Sequence, residues 1–162
     1  EDDITVKEFL DRINAELPKG VKFIKAEEIT SQTPSLSSEI VYGEYLFNID
    51  LESPLSKELV KTKVLEFTRK ESIMITKKNK KGKLVENDIR PLIKTFDLVS
   101  IDDERATFEA IIATGSKGNL NINILVPIIL NDILGVEMDQ REVEVIRRDL
   151  YAMKDGELVT PL

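Results

Sequence analysis

The chain has 162 residues, 41% hydrophobic and 33% charged, with a formal net charge of −7, the balance of a globular fold and not of a disordered segment. It contains no histidine and no cysteine. For this chain that excludes an imidazole base, a Ser-His-Asp triad, histidine metal ligands, disulfides, a thiolate nucleophile and a cysteine-ligated iron–sulfur cluster.

Acid–base chemistry would fall to Asp, Glu, Lys or Tyr. An all-oxygen Mg²⁺ or Ca²⁺ site stays chemically open, but no motif calls for a metal or cofactor, and none is expected. The length suits one domain or two small subdomains. The richest apolar run, "INILVPIILNDIL", is broken by Asn, Pro and Asp, short of the roughly 20 apolar residues a membrane span needs. With no charged-then-apolar leader, the expectation is a cytoplasmic protein without a membrane partner.

"TVKEFLDRINAELPKG" predicts an amphipathic helix, with Val6, Phe9, Leu10, Ile13 and Leu17 at helical spacing. Thr5 with Glu8 fits a capping box, and Pro18 with Gly20 ends the helix. "VKFIKAEEI" (21–29) reads as a strand, and the Ser/Thr/Pro-rich stretch 30–38 as a loop and subdomain boundary. From Glu39 to Leu51 the sequence alternates, placing Val41, Tyr45, Phe47, Ile49 and Leu51 on one face, with Gly43 marking a bulge or close approach. Ser53-Pro54 opens a helix whose buried side is Leu59, Val60, Val64 and Phe67, and Arg69-Lys70 suit its negative C-terminal end.

"SIMIT" (72–76) predicts a strand, "NKKGK" a turn, and "LVENDIRPLIKTFDLVSI" a second strand, a break at Pro91 and a third strand to Ile101. Asp102 to Arg105 form a polar turn into the strand "ATFEAIIA". "TGSKGNLN" reads as a flexible Gly-rich connection, since it lacks the spacing of a phosphate-binding P-loop. A helix follows at about 126–134, with Pro127 in its first turn. "REVEVIRRDLYAM" closes as a strand with Arg147 and Arg148 on opposite faces, so that one joins any shared site and the other meets water. Asp155-Gly156 signals a tight turn.

This order predicts an α+β fold: an antiparallel sheet with helices on one face, ferredoxin-like (split βαβ), over residues 39–162. Residues 1–30, a helix plus a strand, read as the tail of a first, similar unit.

Charge is unevenly placed. Residues 69–94 hold nine basic and three acidic side chains, +6, while the remainder has 14 basic and 27 acidic, −13. Lys77, Lys78, Lys80, Lys81 and Lys83 crowd one turn. They suit either phosphate binding or protection of a hairpin edge against strand pairing. No aromatic lies between Phe67 and Phe96 to stack a base. In "NDIRP", Asp88 and Arg90 would share a face in extended backbone, either clamping a carboxylate or phosphate or pinning the turn at Pro91 as a structural pair.

Taken in order, "LPKG" (17–20), "PSLSS" (34–38), "KKGKLVENDIRPLI" (80–93), "GSKGNL" (115–120), "IRRDLY" (146–151) and "TPL" (160–162) resemble the radical-SAM-linked protein family. This is an uncharacterised bacterial domain, typically encoded beside, or fused behind, a radical S-adenosylmethionine enzyme. The family pattern also has a preceding portion with Ser-His-Leu-Asp and Gly-Phe-Asn-Pro-type segments, absent here, so the resemblance is to its C-terminal portion. Where the family reaches proline soon after Asn119-Leu120, "NINILV" intervenes here before Pro127.

The resemblance carries no catalytic residues but directs attention to Asp88 and Arg90. It implies an accessory domain that binds the radical enzyme or presents its substrate through Asp88, Arg90 and the 77–83 lysines; the lack of His and Cys weighs against an enzyme and leaves the question open. The alternative is an RNA-binding or RNA-modifying module using residues 69–94, and a dimerisation domain is a third possibility.

Overall fold

The computed structural model describes residues 4–29, 35–78 and 81–161 and divides the chain into two compact units, Glu1–Pro34 and Ser35–Leu162. No helix among the described residues is long and apolar enough to cross a membrane.

In the first unit, helix α1 (Val6–Glu16) starts with the expected capping box. The Glu8 N–H donates to Thr5 Oγ1 at 3.2 Å, and the Thr5 N–H to Glu8 Oε2 at 3.0 Å. The strand expected over 21–29 does not form; the segment is irregular. A strand needs a ladder partner to satisfy its backbone, and the side chain of Asn14 takes that place by accepting from the Phe23 N–H and donating to the Phe23 carbonyl at 2.8 and 2.9 Å. No residue of α1 is buried, and Phe23, Ile24 and Ile29 are exposed.

The second unit opens with a single turn, α2 (Leu36–Glu39), leading into β1 (Ile40–Asp50). Helix α3 (Lys57–Thr68) begins three residues beyond Ser53-Pro54 because Ser56 supplies the cap, its hydroxyl accepting from the Leu59 N–H. Val60, Val64 and Phe67, at i, i+4 and i+7, form its buried stripe; Leu59 lies one position off that stripe and is 59% exposed, not buried as its apolarity suggested.

The hairpin β2 (Met74–Lys78) and β3 (Leu84–Asp88) forms a separate two-stranded sheet. A 3₁₀ turn at Arg90–Leu92 leads into β4 (Ile93–Ile101), and β5 (Arg105–Gly115) follows the Asp102 turn. "TGSKGN" is a tight hairpin and not a flexible connection: β6 (Gly118–Asn119) doubles back onto β5, pairing Gly115 with Gly118 and Thr114 with Asn119.

Helix α4 starts four residues before the expected position, at Ile122–Pro127 under an Asn121 cap, and continues as π-turns over Ile128–Leu134. Pro127 therefore sits mid-helix, not in the first turn. Lacking an N–H, it interrupts the i→i−4 ladder where the register slips to i→i−5. Gly135, at φ +69°, ends the helix in the left-handed region. Strand β7 (Glu144–Lys154) and β8 (Glu157–Val159) close the chain around Asp155-Gly156, whose φ values of 52° and 86° make a type I′ turn.

The main sheet has order β4-β5-β1-β7-β8, with every neighbouring pair antiparallel. Leaving out the β2–β3 insertion, the connectivity is β1-α3-β4-β5-α4-β7 with spatial order β7-β1-β5-β4. This is the ferredoxin-like arrangement expected from the element order. Phe47, Ile49, Phe96, Phe108 and Ile112 on the sheet meet Val60 and Phe67 of α3 and Leu125, Ile129 and Leu130 of α4 in one core. Phe96 lies at its centre, with ring centroids 5.1 Å from Phe67 and 5.7 Å from Phe108.

Candidate functional site

The sequence pointed to Asp88 and Arg90. Asp88 closes β3, and one of its carboxylate oxygens accepts from the Ile73 N–H at 2.8 Å and the Arg90 N–H at 2.9 Å. These backbone donors, foremost Ile73, hold its pKa below the ordinary carboxylate value, with the Arg90 charge a lesser cause. The guanidinium goes elsewhere: Nε donates to the Lys70 carbonyl at 3.1 Å, Nη2 to Thr68 at 3.1 Å and Nη1 to Ile93 at 2.8 Å.

Thr68 and Lys70 lie at the C-terminal end of α3, where carbonyls are left without intrahelical partners and a cation is favoured. Arg90 thus caps α3 from across the chain, the place expected for Arg69-Lys70. The "NDIRP" stretch does pin the turn at Pro91, though through backbone bonds and not through an Asp–Arg side-chain pair. Ile89 at φ −95°, ψ −8° breaks the extended alternation that would have put the two side chains on one face.

Among the described residues, the lysines do not converge with this pair. Lys78 stands opposite Leu84 near the hairpin tip, while Asp88 stands opposite Met74 at its base, a separation of about 13 Å along the strand. Lys77 and Lys78, as neighbours in a strand, project to opposite faces, and both are exposed. Lys81 and Lys83 lie at the exposed turn. Lys80 falls outside the described residues.

The structure instead assembles a polar network on the sheet face opposite the helices. Arg148 approaches Glu44 Oε1 and Glu109 Oε2, both at 3.6 Å, bridging β7, β1 and β5. Tyr151 donates its hydroxyl to the other oxygen of Glu44. The hydrogen bond to Glu44, then burial, pushes the Tyr151 pKa up to about 12.

A register shift between Glu44 and Tyr45 leaves Arg148 unpaired as the bulged residue of β7, close to the glycine that suggested a bulge. Of the Arg147–Arg148 pair it is Arg148 that joins the cluster. A second ladder crosses the same three strands: Thr107 Oγ1 donates to Asn48 Oδ1 at 3.0 Å, and Asn48 Nδ2 donates to Glu144 Oε2 at 2.8 Å. Between the ladders Leu46 pairs with Ile146, which is 42% exposed.

Sequence reading missed Glu44, Glu109 and Tyr151 because they come from three strands more than 40 residues apart. Their only local signal is that each is a polar residue at an outward position of an alternating strand. Among the described residues, no three acidic side chains are grouped as metal ligands. The arrangement offers a semi-rigid surface of fixed donors and acceptors around an apolar pair, a geometry suited to recognition.

No curated protein and no solved structure matches the chain. Residues 1–122 match a family described as an uncharacterised protein conserved in bacteria (DUF2344), spanning the first unit and the second as far as the start of α4. The chain belongs to this bacterial family of uncharacterised proteins.

Proposed function

We propose that the chain is an accessory recognition domain that docks on a partner enzyme through the open face of its sheet. The partner is the radical S-adenosylmethionine enzyme that the resemblance of its motifs suggests. The observation that carries this reading is the pair of cross-strand ladders, Glu109–Arg148–Glu44–Tyr151 and Thr107–Asn48–Glu144, with Leu46 and Ile146 between them. Fixed polar groups around an exposed apolar pair pre-organise a protein contact and lower the entropy lost on docking. The division of labour agrees with composition: these 162 residues offer no thiolate for a cluster.

The same face argues against RNA as its ligand. Glu44, Glu109 and Glu144 outnumber Arg148, so phosphates would be repelled. In the basic segment, Arg90 is engaged by main-chain carbonyls, and Lys77 and Lys78 lie on opposite faces of the hairpin. The first unit fits the reading of a tail belonging to a larger α+β unit, because α1 buries no residue and Phe23, Ile24 and Ile29 are exposed.

Co-expression of this chain with the radical S-adenosylmethionine enzyme proposed as its partner tests the docking. A stoichiometric complex on gel filtration is expected, weakened at least tenfold by Ile146→Asp at the centre of the face. Separate elution of the two proteins at tens of micromolar would count decisively against the proposal.

A further inference from the structure

A second feature lies at the end of the sheet where β1 begins and β5 and β7 finish, next to the Tyr151 end of the first ladder, since Tyr42 stands opposite Tyr151. There Tyr42, Leu92, Ala113, Gly118 and Met153 line a groove of about 330 Å³, within the range of small-ligand pockets. The space exists because residue 118 has no side chain. A Cβ there would lie 3.1 Å from Leu92 Cδ2 and 3.7 Å from Ala113 Cβ, inside the groove. The backbone does not demand the glycine, since the glycines with positive φ in this chain are Gly20, Gly82, Gly135 and Gly156. Gly115, by contrast, is obligatory, because a Cβ would meet the Ile40 carbonyl oxygen at 2.2 Å. It holds the hairpin against β1 and so fixes the groove wall.

Charge selects the occupant. Lys117, on the turn between the two glycines, is the sole charged residue among the described residues that line the groove. No carboxylate lines it to neutralise that ammonium. A second cation, Lys94, stands 5.5 Å from the centroid of the Tyr42 ring, which forms part of the groove. Lys117 is exposed at the rim, so a neutral apolar molecule would leave its ammonium to water where a carboxylate would pair with it, and an inorganic anion would leave the apolar lining unfilled. The volume equals that of roughly eleven waters in the liquid, enough for a chain of about eight carbons or a small aromatic system.

We infer that the groove binds a small amphiphilic carboxylate, its apolar body between Leu92, Ala113 and Tyr42 and its carboxylate on Lys117. This site is independent of the proposed docking, since it needs no partner enzyme.

Octanoate is the probe, titrated into the ¹⁵N-labelled chain, with octan-1-ol as the uncharged control. Saturable shifts are expected at the amides of Ala113, Gly115, Lys117 and Gly118, with octan-1-ol binding about fivefold or more weakly. Lys117→Glu, on an exposed turn, should weaken octanoate by a similar factor and leave octan-1-ol unchanged. Gly118→Leu, with its melting temperature checked, should abolish both. Three results would overturn the assignment: no saturation at millimolar octanoate, equal affinity for the alcohol, or wild-type affinity in Lys117→Glu. Because no enzyme is present, such a failure would leave the docking proposal untouched.

Discussion

Arg90 shows how a residue chosen for its chemistry can be held by architecture. Three of the five N–H donors of its guanidinium address carbonyls of Thr68, Lys70 and Ile93. Removing them leaves the end of α3 uncapped, so Arg90→Ala should lower stability by about 2–3 kcal/mol. Urea unfolding checks this, with an unchanged m value. Arg90→Lys should recover less than half, because one ammonium cannot address three divergent carbonyls. Full stability in Arg90→Ala would instead mean the side chain serves a contact.

Asp88 and Tyr151 give opposite pH signatures. The folded pKa of Asp88 is depressed, so its contribution is present above the unfolded carboxylate value of 3.8 and fades as pH falls through the lower folded one. Asp88→Asn should therefore flatten the acid limb of a stability–pH curve. Tyr151 is raised from 10.0 to about 12. Its contribution is complete below pH 10 and is lost between 10 and 12, where the unfolded chain releases the proton first; Tyr151→Phe should remove that alkaline fall. The importance of Asp88 and Arg90 was legible in "NDIRP", but their roles were not. Two of the three partners of Arg90, Thr68 and Lys70, lie 22 and 20 residues earlier, and a 3₁₀ turn redirects its side chain.

At the scale of elements, several signals carried by neighbouring residues were legible, while the local caps at Ser56 and Asn121 and the features needing a distant partner were not. The Thr5–Glu8 capping box, the Asp102 turn and the Asp155-Gly156 type I′ turn have local chemistry, and all three form. Residues 21–29 have strand-like composition but no ladder. "TGSKGN" reads as flexible because it is Gly-rich and lacks the spacing of a phosphate-binding loop, yet pairing with β5 makes it tight. Pro127 marked a helix start by its commonest use, while the Asn121 cap and the π-register set the true one.

The two glycines of that hairpin should behave differently. Gly115→Ala forces a Cβ onto backbone at 2.2 Å and should destabilise by about 3 kcal/mol or more. Gly118→Ala crowds the flexible end of Leu92 and meets Ala113 at ordinary contact distance, and should cost less than about 1 kcal/mol. Paired thermal melts separate the two.

For the molecule as a whole, the alternation of strands and helices gave the ferredoxin-like order, because each crossover follows from which elements are adjacent in sequence. The composition of the open sheet face was hidden, since it depends on register across β5, β1 and β7 and on a bulge that brings Arg148 to two glutamates. Charge separation makes the basic hairpin conspicuous in an acidic chain. Even so, RNA binding by the isolated chain should be weak. Its log–log salt slope should fall well short of the roughly −3 that four or five phosphate contacts to a single strand would give.

The central claim is that the sheet face, and not the basic hairpin, holds the partner enzyme. Calorimetric titration of the radical enzyme with wild type, Arg148→Glu and a Lys77→Glu/Lys78→Glu variant tests it most directly. The account predicts micromolar or tighter binding for wild type, a loss of tenfold or more for Arg148→Glu, and near wild-type affinity for the lysine variant. Unchanged binding by Arg148→Glu, together with loss on reversing the lysines, would contradict it.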